Sequence, residues 1–417
     1  MESLYTHCCG LDVHAKTVVA CLLTPDQKQV RTFGTMSQDL LELADWLRAA
    51  GCTHVAIEST GVYWRPVYNL LEGRVHVILV NAHHVKAVPG RKTDVKDCQW
   101  LADLLQHGLL QASFIPPPPI RELRELTRHR ESLVRDQAAV GNRIQKVLES
   151  GNIKLGQVVT DVLGVSGRQM IRALVAGEQD PQVLAAMAKS RLRSKMDTLR
   201  LALEGRLTEA QRFVLGELLD MYEQLEAAVL RASEKIETLL YHQEPTLGEA
   251  VTLLQSAPGV GHRVAQIVVS EIGIDMGRFP TDKQICNWAG ICPGNHESAG
   301  KRRSGKTSNG NRYLRSALVQ AAWTSRRVRD CSLSRLYQRL IRRMGKKKAL
   351  VAVAHRLLIV LYHMLREGRP YEEREAPVMA ERQRVKAGNR LVRRLESLGF
   401  RVTVETVEPM AVVPSTG

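Results

Sequence analysis

No Cys-x-x-Cys pair occurs among the eight cysteines of this 417-residue chain. That argues against a zinc site or a disulfide framework and fits a reducing cytoplasm. Aromatic residues make up only 5%, which leaves little for a stacking platform that grips single strands. No apolar run approaches the ~18 residues of a membrane span. The longest candidate, Ala349–Leu365, is interrupted by His355, Arg356 and His363. The opening MESLYTHCCGLDVH lacks a basic region followed by an apolar stretch, so no secretory signal is expected there. A G-x-x-x-x-G-K-[ST] phosphate loop is missing too, and with it the usual mark of ATP use.

Acid is scarce in one place. Residues 282–348 hold 17 Lys and Arg but only Asp282, Glu297 and Asp330 as acids, a net of +14. Most of the chain's formal charge of +16 therefore sits in about one sixth of its length. Residues 1–110 (ten basic, eleven acidic) and 119–245 (19 and 18) are near neutral. A block this uniformly basic is the electrostatic footprint of a nucleic-acid surface, whereas an ordinary solvated face mixes both signs.

What is present reads as several domains, since roughly 150 residues suffice for one. Cys8–Val13, Thr17–Leu23 and Val30–Gly34 alternate as strands. Leu40–Ala50 has helical spacing, with Ser37 placed to cap it. His54–Ile57 and Val75–Val80 are short buried strands, and Val62–Leu71 and Asp94–His107 are helices. The order β-β-β-α-β-α-β-α predicts an α/β domain with one mixed sheet over 1–115.

The run Pro116–Pro119 follows as a stiff boundary. Over 120–245 two long helices are expected. In the first, Leu126, Leu133, Val140 and Val147 recur every seven residues. In the second, Leu215, Leu218, Tyr222, Leu225, Val229, Ala232, Ile236 and Leu239 are spaced by alternating threes and fours. Such a seam serves either two helices inside one bundle or a coiled coil that joins subunits. Residues 250–365 read as a mainly helical domain, and 366–417 as a tail with no assigned role. Within the former, Pro258-Gly259-Val260-Gly261 separates two apolar helical stretches. Gly259 and Gly261 belong either to a plain connection or to a helix-hairpin-helix whose amides hold a phosphate.

Four carboxylates carry the chemistry. Asp12 (in GLDVH) and Glu58 (in AIEST) each end an apolar strand that should be buried. Asp94 and Asp97 (in KTDVKD) open a helix at i and i+3, on one face. Singly, Asp94 reads as a helix cap and Asp97 as first-turn charge complementing the dipole. Together, four clustered acids repel unless cations neutralise them, and hard oxygen donors suit Mg²⁺ or Mn²⁺. A pair of such ions can activate an attacking oxygen and stabilise a leaving one at a phosphodiester. Asp103 is a weaker candidate for the same cluster.

These residues resemble a known family. GLDVH, AIESTG and KTDVKDCQWLADLL look like the DEDD signature of RuvC-like transposases. SAPGVG, NWAGICPGNHESAGKRRSGKTSNGNRYLRSALVQAAW and their order look like the transposase domain that follows it. The likeness spans roughly 1–150 and 250–365. It points to the insertion-sequence DEDD transposases called bridge-RNA-guided recombinases, relatives of Piv-type DNA invertases. The resemblance implies an RNase H-like N-terminal domain in which Asp12, Glu58, Asp94 and Asp97 hold the metal. It implies a serine nucleophile, matched by Ser298 in Ser298-Ala299-Gly300, one residue longer than a plain Ser-Gly. Ser304, in Ser304-Gly305, is a rival. Ser298 is preferred for its distance from NWAGICP and for the Gly310-Asn311-x-x-Leu314-Arg315 run after it.

Lys301, Arg302, Arg303 and Lys306 flank that serine, and Arg312 and Arg315 follow, as expected phosphate contacts. Arg339–Lys348 is a second basic cluster. The resemblance further implies duplex DNA as donor and target, a structured guide RNA that chooses the site, and a site shared across subunits. It favours a homo-oligomer: a dimer through the heptad helices, and a tetramer when two DNAs are brought together. Three other readings stand beside it: a RuvC-like endonuclease that hydrolyses junctions with water alone, an RNA-independent site-specific DNA invertase, and an architectural nucleic-acid binder without catalysis.

Overall fold

The computed structural model describes residues 3–59, 61–81, 97–294, 296–298, 301–304, 307, 310–329, 331–373 and 381–403, with backbone alone at 296–298, 301–304 and 381–387. The chain divides into two compact units, Met1–Pro117 and Pro118–Gly417.

In the first unit the alternating runs become β1 (Cys8–Val13), β2 (Thr17–Leu23) and β3 (Lys28–Gly34), followed by α1 (Ser37–Ala49), β4 (His54–Glu58), α2 (Trp64–Leu71), β5 (His76–Val80) and α3 (Asp97–Gln106). The sheet order is β3-β2-β1-β4-β5. β1 pairs antiparallel with β2 and parallel with β4, and β4 pairs parallel with β5. The expected mixed sheet is therefore present. Leu11, Val18, Leu22 and Ile57 face one side, where they pack with Leu40, Leu43, Leu47 and Leu71 of α1 and α2. Cys8, Cys21, Ala56 and Val80 face the other side, under Cys98, Leu101 and Leu105 of α3. The period of two along each strand sorts the side chains between these layers.

α1 begins one residue earlier than a Ser37 cap would set it. Ser37 is its first helical residue and Met36 its N-cap. The capping group is the Asp39 carboxylate, which accepts from the Met36 N–H at 3.2 Å. An acid in the first turn answers both a free donor and the helix dipole, which a hydroxyl inside the helix does not. All eight cysteines are free thiols, seven of them buried. Burial pushes the Cys21 and Cys52 thiols up to about 12.

The proline run is divided between the two units. Pro118 and Pro119 open α4 (Pro118–Ser150), where a missing backbone N–H costs nothing because the first-turn donors have no helical partner. After α4 come α5 (Leu155–Val158), α6 (Val165–Val175), α7 (Pro181–Ala186), α8 (Met196–Ala202) and α9 (Glu209–Thr238). α4 and α9 run antiparallel. Gln211 Nε2 donates to Ser150 Oγ at one end, and Gly141 lies against the Tyr222 ring farther along. The seam of α9 is buried at Leu215, Leu218, Val229, Ala232 and Ile236 and half-buried at Tyr222 and Leu225. In α4 the seven-residue series is not the core stripe. Leu126, Leu133 and Val147 are only half-buried, and the buried positions are Leu123, Thr127, Arg130, Val140, Ile144 and Leu148. α4 also packs on a helix from farther along the chain, so its buried face includes polar residues that a hydrophobic period does not register.

The remaining helices are α10 (Pro245–Leu254), α11 (His262–Ile272), α12 (Asp282–Trp288), α13 (Arg312–Ser325), α14 (Ser332–Met344), α15 (Lys346–Glu367) and α16 (Glu381–Glu396), with a hairpin of β6 (His296–Ser298) and β7 (Lys301–Ser304) after α12. By length and composition α15 alone among the described helices is apolar enough to cross a membrane. Its Val353, Ala354, Leu357, Leu358, Leu361 and Tyr362 are instead buried inside this unit, and Tyr362 donates to the Phe279 carbonyl at 2.8 Å.

Gly10 fixes how α3 lies on β1. A Cβ there would stand 2.2 Å from the Cys98 carbonyl oxygen and 2.5 Å from the Ala102 nitrogen, both main chain that cannot rotate away. Gly10→Ala is expected to lift α3 and lower stability by about 2 kcal/mol, the usual cost of overpacking. Urea denaturation of the wild type and the variant checks this.

Candidate functional site

The mixed sheet brings two of the predicted acids side by side. Leu11 of β1 pairs in parallel with Ile57 of β4, so Asp12 and Glu58 are the next residues on adjacent strands, about 4.8 Å apart along the hydrogen-bonding direction. Leu11 and Ile57 face α1 and α2; the alternation turns Asp12 and Glu58 to the α3 side. Both acids are half-buried at the carboxyl ends of their strands. Crevices at such strand ends are where open α/β sheets bind ligands.

Asp97 is the first residue of α3. Because Gly10 lets the α3 backbone touch β1 at Cys98, the start of that helix is tied to the strand that carries Asp12. The Cys98 thiol is raised first by burial and then by the Asp12 charge, which places Asp12 within electrostatic reach of the residue next to Asp97. Asp94 lies outside the described residues. Asp103, on the same helix, also acts electrostatically on Cys8 and Cys21.

His14, a residue the sequence reading passed over, sets its Nε2 3.0 Å from Asp12 Oδ2. It stands just past the strand in GLDVH, where an exposed ring has little else to hold. The donor set of Asp12, Glu58 and Asp97 consists of hard carboxylate oxygens, which fits a magnesium-type ion. Among the described residues no group of three or more His, Cys, Asp or Glu side chains is close enough together to hold a metal.

In the second unit, the expected serines share one hairpin. β6 and β7 pair antiparallel, Ser298 with Lys301 at the closed end and His296 with Ser304 toward the base, with an irregularity between His296 and Glu297. Lys301, Arg302 and Arg303 lie on β7, and Lys306 lies outside the described residues. The Pro293–Thr307 bridge closes the base. There Gly310 meets Gly290; a Cβ on Gly310 would stand 2.3 Å from the Gly290 nitrogen. The NWAG and GN motifs on either side of the hairpin are therefore in backbone contact.

The chain then enters α13, whose N-cap is Asn311. The Asn311 Oδ1 accepts from the Tyr313 and Leu314 N–H groups at 3.0 and 3.1 Å. Its Nδ2 donates to Glu271 Oε2 at 2.5 Å. Glu271 is fully buried on α11 and anchors an ionic network. Arg128 of α4 donates to both its carboxylate oxygens at 2.7 Å, a bidentate pair, and Arg124 stands 3.3 Å away. Thr127 donates to Ser270 Oγ, and buried Arg130 donates to Gln266 Oε1 at 2.7 Å. The signal for Glu271 was in the sequence. It is an acid inside the apolar run Val268–Ile272, the same kind of position that singled out Asp12.

Arg312 and Arg315 open α13. The glycines of the PGVG turn have different roles. Gly259 has φ of +83° and lies so close to α13 that a Cβ would be 2.4 Å from the Ala321 carbonyl oxygen. Gly261 caps α11 with open space around it. At the α11 start, the His262 ring meets Glu237 Oε1 at 2.6 Å.

Comparisons with known proteins agree in their order along the chain. Residues 9–153 match a family described as transposase, and residues 251–338 match the transposase IS116/IS110/IS902 family. The chain is similar to the pilin gene-inverting protein of Moraxella lacunata, at 22% identity over 88% of this chain and 97% of that one. It is similar to an insertion element IS110 protein of Streptomyces coelicolor, at 28% identity over 69% of this chain and 74% of the other. A putative transposase of Sinorhizobium fredii, y4qE, is 30% identical over 33% of this chain and 42% of its own length.

Glu271→Gln keeps the shape but removes the charge that holds Arg124 and Arg128. Breaking a buried pair from one side is expected to cost about 3 kcal/mol. Arg48→Ala, which removes an exposed pair with Asp45, is expected to cost well under about 1 kcal/mol. Thermal melting of the two variants beside the wild type measures the difference.

Proposed function

The chain belongs to the IS116/IS110/IS902 transposase family, and we propose that it cuts and rejoins double-stranded DNA through a serine nucleophile, Ser298, with Mg²⁺ or Mn²⁺ held by Asp12, Glu58, Asp94 and Asp97 in a RuvC-like domain. The observation that carries the reading is the register of β1 and β4, which sets Asp12 beside Glu58 on the face that α3 covers. Asp12 and Glu58 bring two hard carboxylate donors to one face of neighbouring strands, the donor type a divalent cation takes. A divalent ion bound there would supply charge neutralisation and activation of oxygen at a phosphodiester.

The protein's own groups divide the work. The Ser298 hydroxyl attacks the scissile phosphorus as the bond from phosphorus to the leaving sugar oxygen breaks. The hydroxyl proton passes to solvent or a base, and the leaving oxygen takes up a proton. A phosphoserine bond then holds one DNA end until a sugar hydroxyl from another strand attacks it and releases the serine. That exchange conserves one phosphoester bond at each step, which agrees with the lack of a phosphate loop. His14 orients the Asp12 carboxylate. Lys301, Arg302, Arg303, Lys306, Arg312 and Arg315 neutralise backbone phosphates, and the amides around Gly259 and Gly261 are candidates for the same task. The family resemblance assigns the choice of donor and target to a structured guide RNA. The protein works in the cytoplasm as a homo-oligomer, a dimer that becomes a tetramer in synapsis.

A covalent DNA–protein adduct is the discriminating measurement. With Mg²⁺ and supercoiled substrate, the wild type is expected to leave a denaturant-stable adduct, and Ser298→Ala to lose it by at least about 10³-fold. Ser304→Ala is expected to retain it; the reverse result moves the nucleophile to Ser304. Asp12→Asn and Glu58→Gln are expected to lose cleavage while still binding DNA. Cleavage that survives Ser298→Ala and Ser304→Ala without an adduct would make the protein a hydrolytic endonuclease. Recombination of purified components without RNA would make it an RNA-independent invertase. Light scattering is expected to report a dimer alone and a tetramer with two DNAs.

A further inference from the structure

Beside the base of the serine hairpin, α4 and α13 gather three guanidiniums around one phenol. The Arg128, Arg312 and Arg135 carbons lie 4.7, 4.8 and 5.8 Å from the centre of the Tyr313 ring. Arg312 also donates to the Tyr313 hydroxyl at 2.8 Å. That bond, with a further one from Arg135, holds the phenol below its ordinary range.

The three cations are not equivalent. Arg128 is committed to the buried Glu271 carboxylate. Arg135 and Arg312 are exposed and have no carboxylate partner among the described residues; Arg135 donates only to the Glu131 carbonyl and to the ring's hydroxyl. Like charges gathered on one ring repel, and a π-face offsets only part of that repulsion. The arrangement is also fixed in place. Glu271 ties Arg128 on α4 to Asn311, the cap of the helix that carries Arg312 and Tyr313. Two uncompensated guanidiniums held on two different helices, with a hydroxyl between them, match the oxygens of one phosphodiester.

We propose that Arg135, Arg312 and Tyr313, backed by Arg128, form a clamp for a backbone phosphate of duplex DNA at the foot of the Ser298 hairpin. The clamp rests on the reading of this chain as a DNA-cutting and rejoining enzyme, and it adds α4 to the DNA-contacting surface. It reads no bases. Its part is to hold the duplex in register while the hairpin next to it reaches the scissile bond.

The test is binding of full-length wild type and variants to a duplex DNA over a range of salt concentrations. Each lost phosphate contact lowers the slope of log affinity against log salt by about one. Arg135→Gln and Arg312→Gln are each expected to show that drop, and the double variant a drop of about two. Arg135→Lys and Arg312→Lys, which keep the charge, are expected to restore the slope while binding more weakly. Tyr313→Phe keeps the ring and is expected to lose only a few-fold in affinity. Arg172→Gln, which removes a pair with Glu223 elsewhere on the unit, is the control and is expected to leave the slope unchanged.

Variants that melt like the wild type and keep its slope overturn the clamp. If the wild type still forms covalent DNA adducts in that case, the functional reading survives without it. A wild type that neither binds nor cuts duplex DNA overturns both. An effect confined to duplex RNA in a parallel titration overturns the DNA assignment.

Discussion

One buried carboxylate ties three helices of the second unit to one another. Glu271 sits on α11 in an otherwise apolar run, fully shielded from water, and such a group is tolerable only when charge and hydrogen bonds surround it. Arg124 and Arg128 reach it from α4, and Asn311 reaches it from the cap of α13. A hydrophobic contact tolerates sliding, but a bidentate guanidinium does not. The three helices are thus held at defined points, and the segment between α12 and α13, which carries both candidate serines, leaves and returns through a base pinned by Gly290 and Gly310.

The first unit solves a similar problem with backbone contact in place of charge. Asp12 and Glu58 come together because β1 and β4 are parallel neighbours in one register. Gly10 admits the backbone of α3 against β1 and so brings the start of that helix, Asp97, to the same strand. A side chain at residue 10 would separate them. The sheet positions Asp12 and Glu58, and the β6–β7 hairpin of the other unit carries Ser298 and Ser304.

The order of the first unit's elements was legible because each strand is a short apolar run and each helix keeps a one-sided stripe. Local period decides both. The strand acids were legible for the same reason, since a carboxylate ending an apolar run stands out. The α9 seam could be read off directly. The α4 seam could not: its buried face carries Thr127 and Arg130, which no hydrophobic period contains. Ser37 is helical rather than a cap: the helix starts one residue earlier, with Met36 at the cap position and its N–H bonded by the Asp39 carboxylate.

Taken alone, the amino-acid sequence determined the alternation of strand and helix, the basic block over 282–348 and the family likeness, because each depends on neighbours in the chain or on composition. Tertiary structure alone decided that Asp12 stands beside Glu58, that Gly259 is a packing position against α13, that Gly290 touches Gly310, and that Arg135 meets Tyr313. Those are meetings of residues tens to well over a hundred positions apart. They follow from strand register and helix packing, which come from closing the whole core rather than from any local preference.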